Sequence, residues 1–390
     1  MKPRTPLYRG FLTQNQNAHP IAVRSPVPSQ RRHATASSSA RSQSSTSSRR
    51  PWLRLPLVTV AAIGIGAYFI WTQDSRTGTS TVLNPARFTR YYLVSREAVS
   101  STGSLFTLRP PKLNGENRGV YEGAWKTGLW SVMFKQPQLQ IGRDYTPLPP
   151  LPADEDGECL RFFIRKDPFG EVSRYLHGLR IGAPIEVRGP RIECEVPSDT
   201  QNILFIAGGT GIAPALQAGY TLLRRTNENY QPRIHIMWAS RQREDCKGGH
   251  NDITEAAADE TQRSWLARLF KSSNLVPSPA PNSLQGGEGT SVIVQELEAL
   301  KSRYPGQVTV EYFVDEESTF IGDNSILRFT RSAASPPGSP KRNMILVSGP
   351  EGFISYMAGP KLWAQGMELQ GPLQGIIKQL DLSDWAVWKL

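Results

Sequence analysis

The first 73 residues of this 390-residue chain contain no aspartate or glutamate. The same segment carries ten lysine and arginine residues, and removing those ten from the chain total of 45 leaves 35 basic residues against 34 acidic ones. The formal net charge of +11 is therefore a property of the N-terminal segment. Because the rest of the chain lacks the basic excess that holds a nucleic-acid backbone, we expect no nucleic-acid partner.

Cysteine and histidine are also scarce. The three cysteines are widely spaced, which argues against a disulfide framework and against a zinc site. The five histidines form no pair at the i, i+3 or i+4 spacing that places two metal ligands on one helix face. There is no Gly-x-Ser-x-Gly elbow and no Walker loop. We therefore predict neither a catalytic metal nor a locally encoded nucleophile.

The N-terminal segment has two parts. Residues 1–54 are rich in arginine and serine, which is typical of a mitochondrial presequence; a disordered basic tail is the alternative. Residues 55–71 carry no charge, a length at the lower limit for a membrane-spanning helix. A cleaved signal segment or a buried helix is the alternative there. We predict a single-pass anchor over 55–73 and a tether over 74–86.

The charge asymmetry around the predicted anchor also predicts its orientation. The positive flank lies on the N-terminal side, and positive flanks stay on the side from which the helix inserts. In the mitochondrial inner membrane this leaves the N-terminus in the matrix. The predicted location is the inner membrane, with the C-terminal part in the intermembrane space.

Beyond the tether the pattern predicts two domains. Short β-rich runs separated by turn residues, among them 160–165 and 184–188, indicate a small antiparallel barrel over 87–197, with one convincing helix over 172–179. From residue 198 to residue 390, strand-like runs such as 308–314 alternate with helical ones, which indicates a parallel sheet. A polar stretch over 244–289 is interpreted as an insertion or long surface loop. The predicted fold class is an antiparallel β barrel followed by an α/β domain.

A glycine-rich turn opens the second domain. Gly208, Gly209 and Gly211 lie with Thr210 between an apolar, β-leaning run and a helical pattern. Glycine lets the backbone adopt positive φ and approach a ligand, and the helix start that follows offers free N–H groups. A dinucleotide pyrophosphate fits such a turn, although any parallel sheet can use glycine there.

Two places in the predicted barrel could also bind phosphate. The period of two puts Arg143 and Tyr145 on one face of a strand and Thr146 on the other. Arginine suits a phosphate, and a tyrosine ring suits a planar heterocycle. A surface ion pair and ordinary barrel packing are the alternatives. The second place is a helix start whose backbone N–H groups and hydroxyl can hold phosphate, at Gly170, Val172 and Ser173.

Four motifs in this order resemble the ferredoxin-reductase-type flavoprotein family, which includes cytochrome b5 reductases. They are Arg143-x-Tyr145-Thr146, Gly170-x-x-Ser173, the run from Gly208 to Pro214, and Ser348-Gly349-Pro350. The resemblance covers the chain from residue 88 to its last residue. It implies FAD in the barrel, NAD(P)H as electron donor in the second domain, and an FAD-dependent NAD(P)H oxidoreductase.

The resemblance also implies roles for the flavin-side residues. Arg143 would hold the FAD phosphates, together with the turn at Gly170, Val172 and Ser173. Tyr145 would lie against the isoalloxazine ring, and Thr146 would hydrogen-bond near its reactive nitrogen. Near the C-terminus, Trp385 and Trp388 are candidates for the aromatic that closes over the flavin in relatives. Packing of a last strand is the alternative for both.

On the nucleotide side, the turn from Gly208 to Gly211 would take the dinucleotide. Ser348, where the family usually has cysteine, would lie beside the nicotinamide with Gly349 and Pro350, and hydride transfer would depend on it. Selection between NADH and NADPH would fall to the residues after the second parallel strand. A 2′-phosphate would be bound there by Ser240 with Arg241 or Arg243, which favours NADPH slightly; solvated loop charges are the alternative.

Within the family, a basic presequence, one anchor, a long insertion and Ser-Gly-Pro are similar to a mitochondrial group that assists cytochrome c maturation. That similarity implies electron transfer to haem iron, with haem or the haem-attachment machinery and apocytochrome c as partners. The alternatives are a mitochondrial cytochrome b5 reductase and a membrane-anchored scaffold whose flavin is not catalytic.

Overall fold

The computed structural model of the chain describes residues 81–151, 157–252, 289–333, 343–364 and 366–390. The predicted presequence, the predicted anchor, most of the tether and residues 253–288 of the predicted insertion lie outside these ranges. Among the described residues, no helix is long and apolar enough to span a bilayer. All described residues belong to one compact unit.

Six strands form an antiparallel sheet that curls into a barrel: β1 (Thr89–Ala98), β2 (Gly103–Arg109), β3 (Gly128–Gln136), β4 (Ile141–Tyr145), β5 (Leu160–Arg165) and β6 (Pro184–Glu195). Their order is β4-β3-β6-β1-β2-β5. A bridge between Pro147 and Phe162 joins the chain just after β4 to β5, so the two edges of the sheet approach each other. The enclosed core includes the buried rings of Trp130, Phe134 and Phe162.

Two helices accompany the barrel, α1 (Glu116–Thr127) and α2 (Glu171–Gly178). Helix α2 matches the predicted one, whereas the prediction of a single helix in this domain is wrong because α1 was missed. Helix α1 contains Gly119 and Gly123, which are poor helix formers, so its local sequence argues against it. It is stabilised instead by burying Tyr121 and Trp125, four residues apart on one face, in the barrel core.

Five further strands form a parallel sheet: β7 (Asn202–Gly208), β8 (Arg233–Ser240), β9 (Val308–Val314), β10 (Asn343–Ser348) and β13 (Trp385–Lys389). Their order is β13-β10-β7-β8-β9. The predicted order of an antiparallel barrel followed by a parallel sheet is thus confirmed. A small hairpin of β11 (Leu362–Ala364) and β12 (Met367–Leu369) precedes β13.

Helices cover both faces of the parallel sheet, and β7 shows why. All seven residues of β7 are buried, which is typical of a strand that is covered on both sides. Ile203 and Phe205 pack into the core that includes α3 (Ile212–Leu223) and α4 (Val292–Arg303). Leu204 and Ile206 pack on the other face, with α5 (Asp323–Ser332), α6 (Glu351–Ala358) and α7 (Gly375–Gln379).

Ionic contacts join the barrel to the parallel-sheet domain. The guanidinium of Arg161 on β5 lies 2.5 Å from the carboxylate of Glu296 on α4, and both side chains are largely buried. Arg165, at the end of β5, pairs with Asp245. Asp245 also accepts a 2.7 Å hydrogen bond from the Ser100 hydroxyl. The first residues of the predicted insertion therefore dock onto the barrel.

Candidate functional site

A cavity of about 250 Å³ lies where the barrel meets the carboxyl ends of the parallel strands. This edge of a parallel sheet is where ligands bind in open α/β folds. Tyr145 and Thr146 line it from the barrel, and Thr210, Gly211 and Ser348 line it from the parallel-sheet domain. The structure therefore brings together predicted residues from both domains, with Gly349 beside Ser348.

The end of β4 supplies the barrel wall of this cavity. Arg143 is exposed, and its guanidinium donates a 3.0 Å hydrogen bond to the adjacent Gly142 carbonyl. The ring of Tyr145 packs edge-on against Phe134, with 5.0 Å between ring centroids. Burial raises the pKa of the Tyr145 phenol to about 12, and the Arg143 charge opposes this shift. Tyr145 thus remains a phenol over the whole physiological range.

The turn before α2 is the second predicted phosphate site. Gly170 is the N-cap residue of α2, and a Cβ atom there would lie 2.6 Å from the Ser173 hydroxyl. That hydroxyl accepts a 3.1 Å hydrogen bond from the Asp167 amide and donates to the Gly170 carbonyl. Val172 is buried. The turn is therefore pre-ordered, and it lies outside the cavity lining, as Arg143 does.

The glycines after β7 serve two different purposes. Gly209 has a φ of 55°, and a Cβ atom there would meet nothing closer than the Arg165 guanidinium at 3.7 Å. A Cβ atom at Gly211 would lie 2.4 Å from the Ser348 carbonyl oxygen, and one at Gly208 would lie 2.8 Å from the Phe353 ring. The missing side chains of Gly208 and Gly211 therefore make room for the chain itself, and a ligand-binding role for the three glycines stays a prediction.

The end of β10 forms the wall next to Gly211. Ser348 is 7% exposed and lines the cavity. Gly349 lies so close to Gly208 that a Cβ atom added to Gly349 would be 3.0 Å from the Gly208 Cα atom. Pro350 is the N-cap residue of α6 and lies outside the lining. The end of β10 and the loop after β7 therefore form one tightly packed floor.

The three residues predicted to bind a 2′-phosphate, at the end of β8 and just after it, differ in exposure and in existing partners. Ser240 is 3% exposed, and its hydroxyl has no hydrogen-bond partner among the described residues. Arg243 forms an ion pair with Glu317, in the turn after β9. Arg241 is exposed. Of the two arginines considered for a 2′-phosphate, Arg243 is thus already paired with a carboxylate.

Charged side chains that none of the four motifs specifies also line the cavity. Arg191 on β6 lies 3.1 Å from Asp144 and 3.6 Å from Glu193. Burial raises the pKa of the Asp144 carboxyl, while the Arg191 charge opposes the shift. Lys361, directly before β11, and Glu368 on β12 form a 3.3 Å pair at the same cavity. Asp144 and Arg191 come from distant parts of the chain, so no local motif signals that pair.

Neither C-terminal tryptophan lines the cavity. Trp385 is 5% exposed and packs with Phe329 in the core on the far face of the sheet. The Trp388 indole donates a 3.0 Å hydrogen bond to the Glu193 carbonyl on β6. Leu390 is the C-terminal side chain in the lining. The strand-packing alternative is confirmed for Trp385.

A buried glutamine is the main polar residue that sequence reasoning missed. Gln217 on α3 is fully buried and hydrogen-bonds to the backbone of Trp130 and Pro147 on the barrel. The sequence does contain a sign of its importance: Gln217 is the one amide side chain among the apolar residues in the first two turns of α3. A buried polar side chain requires partners.

No protein-family model matches the chain. It is 33% identical over 153 residues to the cytochrome c mitochondrial import factor CYC2 of Saccharomyces cerevisiae, covering 36% of this chain and 41% of the relative. It is 30% identical to NADH-cytochrome b5 reductase 1 of Aspergillus terreus, covering 48% and 62%. It is 26% identical to NADH-cytochrome b5 reductase 2 of Scheffersomyces stipitis, covering 70% and 75%. The chain thus matches about half the length of the first two relatives. Homologues that include cytochrome b5 reductases confirm the resemblance stated from the motifs.

Proposed function

We propose that the chain is an FAD-dependent NAD(P)H oxidoreductase that passes electrons to haem iron during mitochondrial cytochrome c maturation. The observation that carries the reductase part is the shared cavity, in which Tyr145 and Thr146 face Gly211 and Ser348. On the barrel wall, the end of β4 carries a tyrosine that can pack against a planar ring. On the opposite wall, the glycine-rich turn leads directly into helix α3. Such a cavity suits two planar rings held in contact.

The residues present fit both cofactors. Arg143 is exposed and has no carboxylate partner among the described residues, and the turn before α2 is pre-ordered by the hydrogen bonds of the Ser173 hydroxyl. Both would hold the FAD phosphates, with Tyr145 and Thr146 at the ring. The left-handed residue Gly209, with Thr210 and Gly211, would hold NAD(P)H. FAD bound there would supply the capacity to accept a hydride and to release electrons singly or in pairs.

The chain contributes positioning rather than acid–base chemistry. Hydride transfer needs two rings in contact and at a fixed angle, so most of the catalytic effect comes from orientation. The floor formed by Gly208, Gly211 and Gly349 is too tightly packed to shift, because each glycine lies against neighbouring backbone or a ring. Tyr145, with its raised pKa, would pack and hydrogen-bond as a phenol.

The proposal includes an electron acceptor, haem iron, and a cellular location, the mitochondrial inner membrane. The similarity to a cytochrome c mitochondrial import factor supports haem and a mitochondrial location. The acid-free N-terminal segment and the uncharged run over 55–71 support a single-pass anchor in the inner membrane, with the folded part in the intermembrane space. A cytochrome b5 reductase-like enzyme is the second candidate, favoured by the relatives that carry that name.

The flavin site is tested by Arg143→Ala in the purified full-length chain. We expect the variant to lose FAD, measured as flavin absorbance per protein. Arg109→Ala removes the same charge from an exposed position at the end of β2 and should keep the flavin. An Arg143→Ala protein that retains bound flavin would contradict the site assignment.

The nucleotide site is tested by Gly209→Val. A β-branched residue is strained at a φ of 55°, so the loop would change shape. We expect bound FAD to remain while reduction by NAD(P)H is lost, and unchanged reduction would refute the assignment. Turnover with ferricyanide separates a reductase from a scaffold. A haem-loading defect in cells lacking the protein separates the haem role from a cytochrome b5 role.

A further inference from the structure

One side-chain amide joins the two walls of the cavity. The Oε1 atom of Gln217 accepts a 2.9 Å hydrogen bond from the Trp130 amide. Its Nε2 atom donates 3.0 Å hydrogen bonds to the carbonyls of Trp130 and Pro147. Three of the four hydrogen-bonding positions of the amide are thus used, in a fully buried setting.

The amide takes the place of a missing piece of strand. The pairing of β3 with β4 ends at Val132 opposite Tyr145, so two residues further along Trp130 would face Pro147. Proline has no N–H and cannot donate to Trp130. Pro147 has already turned to bridge Phe162 on β5. Gln217 therefore supplies both the acceptor and the donor that a continuing β4 would have offered.

The same residue lies on the helix that starts at the glycine turn. Helix α3 begins at Ile212, directly after Gly211, and Gln217 lies five residues further on. On the barrel side, Pro147 directly follows Thr146. The amide thus connects the strand end that carries Tyr145 and Thr146 to the helix whose start carries the nucleotide turn.

We infer that Gln217 is a positioning residue that sets the distance and angle between the flavin wall and the nucleotide wall. This inference rests on the proposed function. Other contacts hold the domains together away from the cavity, including Arg161 with Glu296 and Arg224 with Glu122. Loss of the Gln217 amide therefore leaves the domains associated and shifts their alignment at the cavity.

The test uses Gln217→Glu in the purified, flavin-loaded, full-length chain. Glutamate keeps the size and an acceptor but replaces the two N–H donors by the single O–H of a protonated, buried carboxyl, so at least one of the two carbonyls loses its hydrogen bond. We expect flavin bleaching at saturating NADH to slow about 10- to 100-fold, as small misplacements do, while the nucleotide dissociation constant stays within about twofold. The isotope effect with 4-deuterated NADH should increase, because hydride transfer becomes more rate-limiting. A wild-type bleaching rate and isotope effect would overturn the inference.

Thr221→Val is the matched control. Thr221 lies one turn further along α3, and its hydroxyl donates a 3.3 Å hydrogen bond to the Trp125 carbonyl across the same interface, away from the cavity. We expect lower thermal stability with a normal bleaching rate. If Thr221→Val slowed flavin bleaching as much as Gln217→Glu does, the inference would be overturned. Any hydrogen bond across the domain interface would then affect hydride transfer equally. Should Gln217→Glu fail to fold, Gln217→Leu removes the amide without adding a charge, under the same criteria.

Hydrogen exchange of the Trp130 amide separates this inference from the proposed function. The amide should be protected in the wild-type chain and exchange faster in the Gln217 variants, whether or not a nucleotide reduces the protein. Unchanged exchange would overturn the role of Gln217. A wild-type chain that keeps this protection but is reduced by neither nucleotide contradicts the proposed function and, with it, the positioning of hydride transfer.

Discussion

The indole Nε1 of Trp238 donates a 2.9 Å hydrogen bond to the backbone carbonyl of Gly209. Trp238 is fully buried near the end of β8, and Gly209 is the residue of the turn after β7 with a left-handed φ of 55°. The second parallel strand therefore fixes the peptide whose conformation shapes the proposed nucleotide turn.

Trp238→Phe tests this contact. Loss of one hydrogen bond to the turn costs about 1 kcal/mol, so we expect NAD(P)H to bind about fivefold more weakly, with FAD content unchanged. The dissociation constant follows from the dependence of the flavin-bleaching rate on nucleotide concentration. Trp363→Phe, on the exposed β11–β12 hairpin, is the control. Wild-type affinity in Trp238→Phe would show that the bond does not shape the turn.

Glu317→Gln should change the choice of nucleotide. In the wild-type chain Arg243 is paired with Glu317, and this pairing lowers the pKa of the glutamate and raises that of the arginine. Removing the carboxylate frees the guanidinium for a 2′-phosphate. We expect kcat/KM for NADPH to rise relative to that for NADH. Glu298→Gln is the control, because it removes a carboxylate that pairs with Lys301 on α4. An unchanged ratio of the two kcat/KM values in Glu317→Gln would refute this role for Arg243.

Asp144 should make stability pH-dependent. Burial raises the pKa of its carboxyl in the folded chain above the ordinary 3.8. Its stabilising contribution is therefore full below pH 3.8 and is lost as the pH rises through the folded-state pKa. The melting temperature of Asp144→Asn minus that of wild type should increase from about pH 4 to about pH 7. Glu97→Gln, at an exposed position of β1, is the control; a flat difference for Asp144→Asn contradicts the prediction.

The Arg161–Glu296 pair should dominate the interface between the domains. Both side chains are largely buried, at 7% and 11% exposure. Glu296→Ala leaves a guanidinium without its partner, which costs on the order of 3 kcal/mol in the free energy of unfolding. Chemical denaturation measures this cost. Glu298→Ala, two residues away and exposed, should cost less than about 0.5 kcal/mol, and equal costs would contradict the account.

The strands could be predicted from the sequence because their burial follows local pattern. Leu160–Arg165 and Val308–Val314 have the predicted bounds, as continuous runs rich in apolar and β-branched residues. Strand β6 continues past its predicted end at Arg188 to Glu195, beyond the Gly189-Pro190 pair that reads locally as a turn. Helix α1 escaped prediction because its stability comes from tertiary packing.

Parts of the site were predictable for a similar reason. Motifs identified residues of both cavity walls, such as Tyr145 and Ser348, because each stands next to a local signal for a strand end or a turn. The ion pair of Asp144 and Arg191 depends on which distant strands meet, which no local pattern encodes. The pair of Lys361 and Glu368 is local to the β11–β12 hairpin, but its place at the cavity depends on how that hairpin packs. Position 211 requires glycine because the Ser348 carbonyl at the end of β10 packs against it. That contact joins distant parts of the chain, so the local sequence does not predict it.

The most direct measurement is anaerobic stopped-flow absorbance of the purified full-length chain in detergent, mixed with NADH and NADPH in parallel and then with oxidised haem. We expect a yellow protein whose flavin is bleached by at least one nucleotide and reoxidised as ferrous haem appears. A yellow protein that neither nucleotide reduces would contradict the reductase function and favour a scaffold. A colourless protein that takes up no added FAD would contradict the flavin site itself.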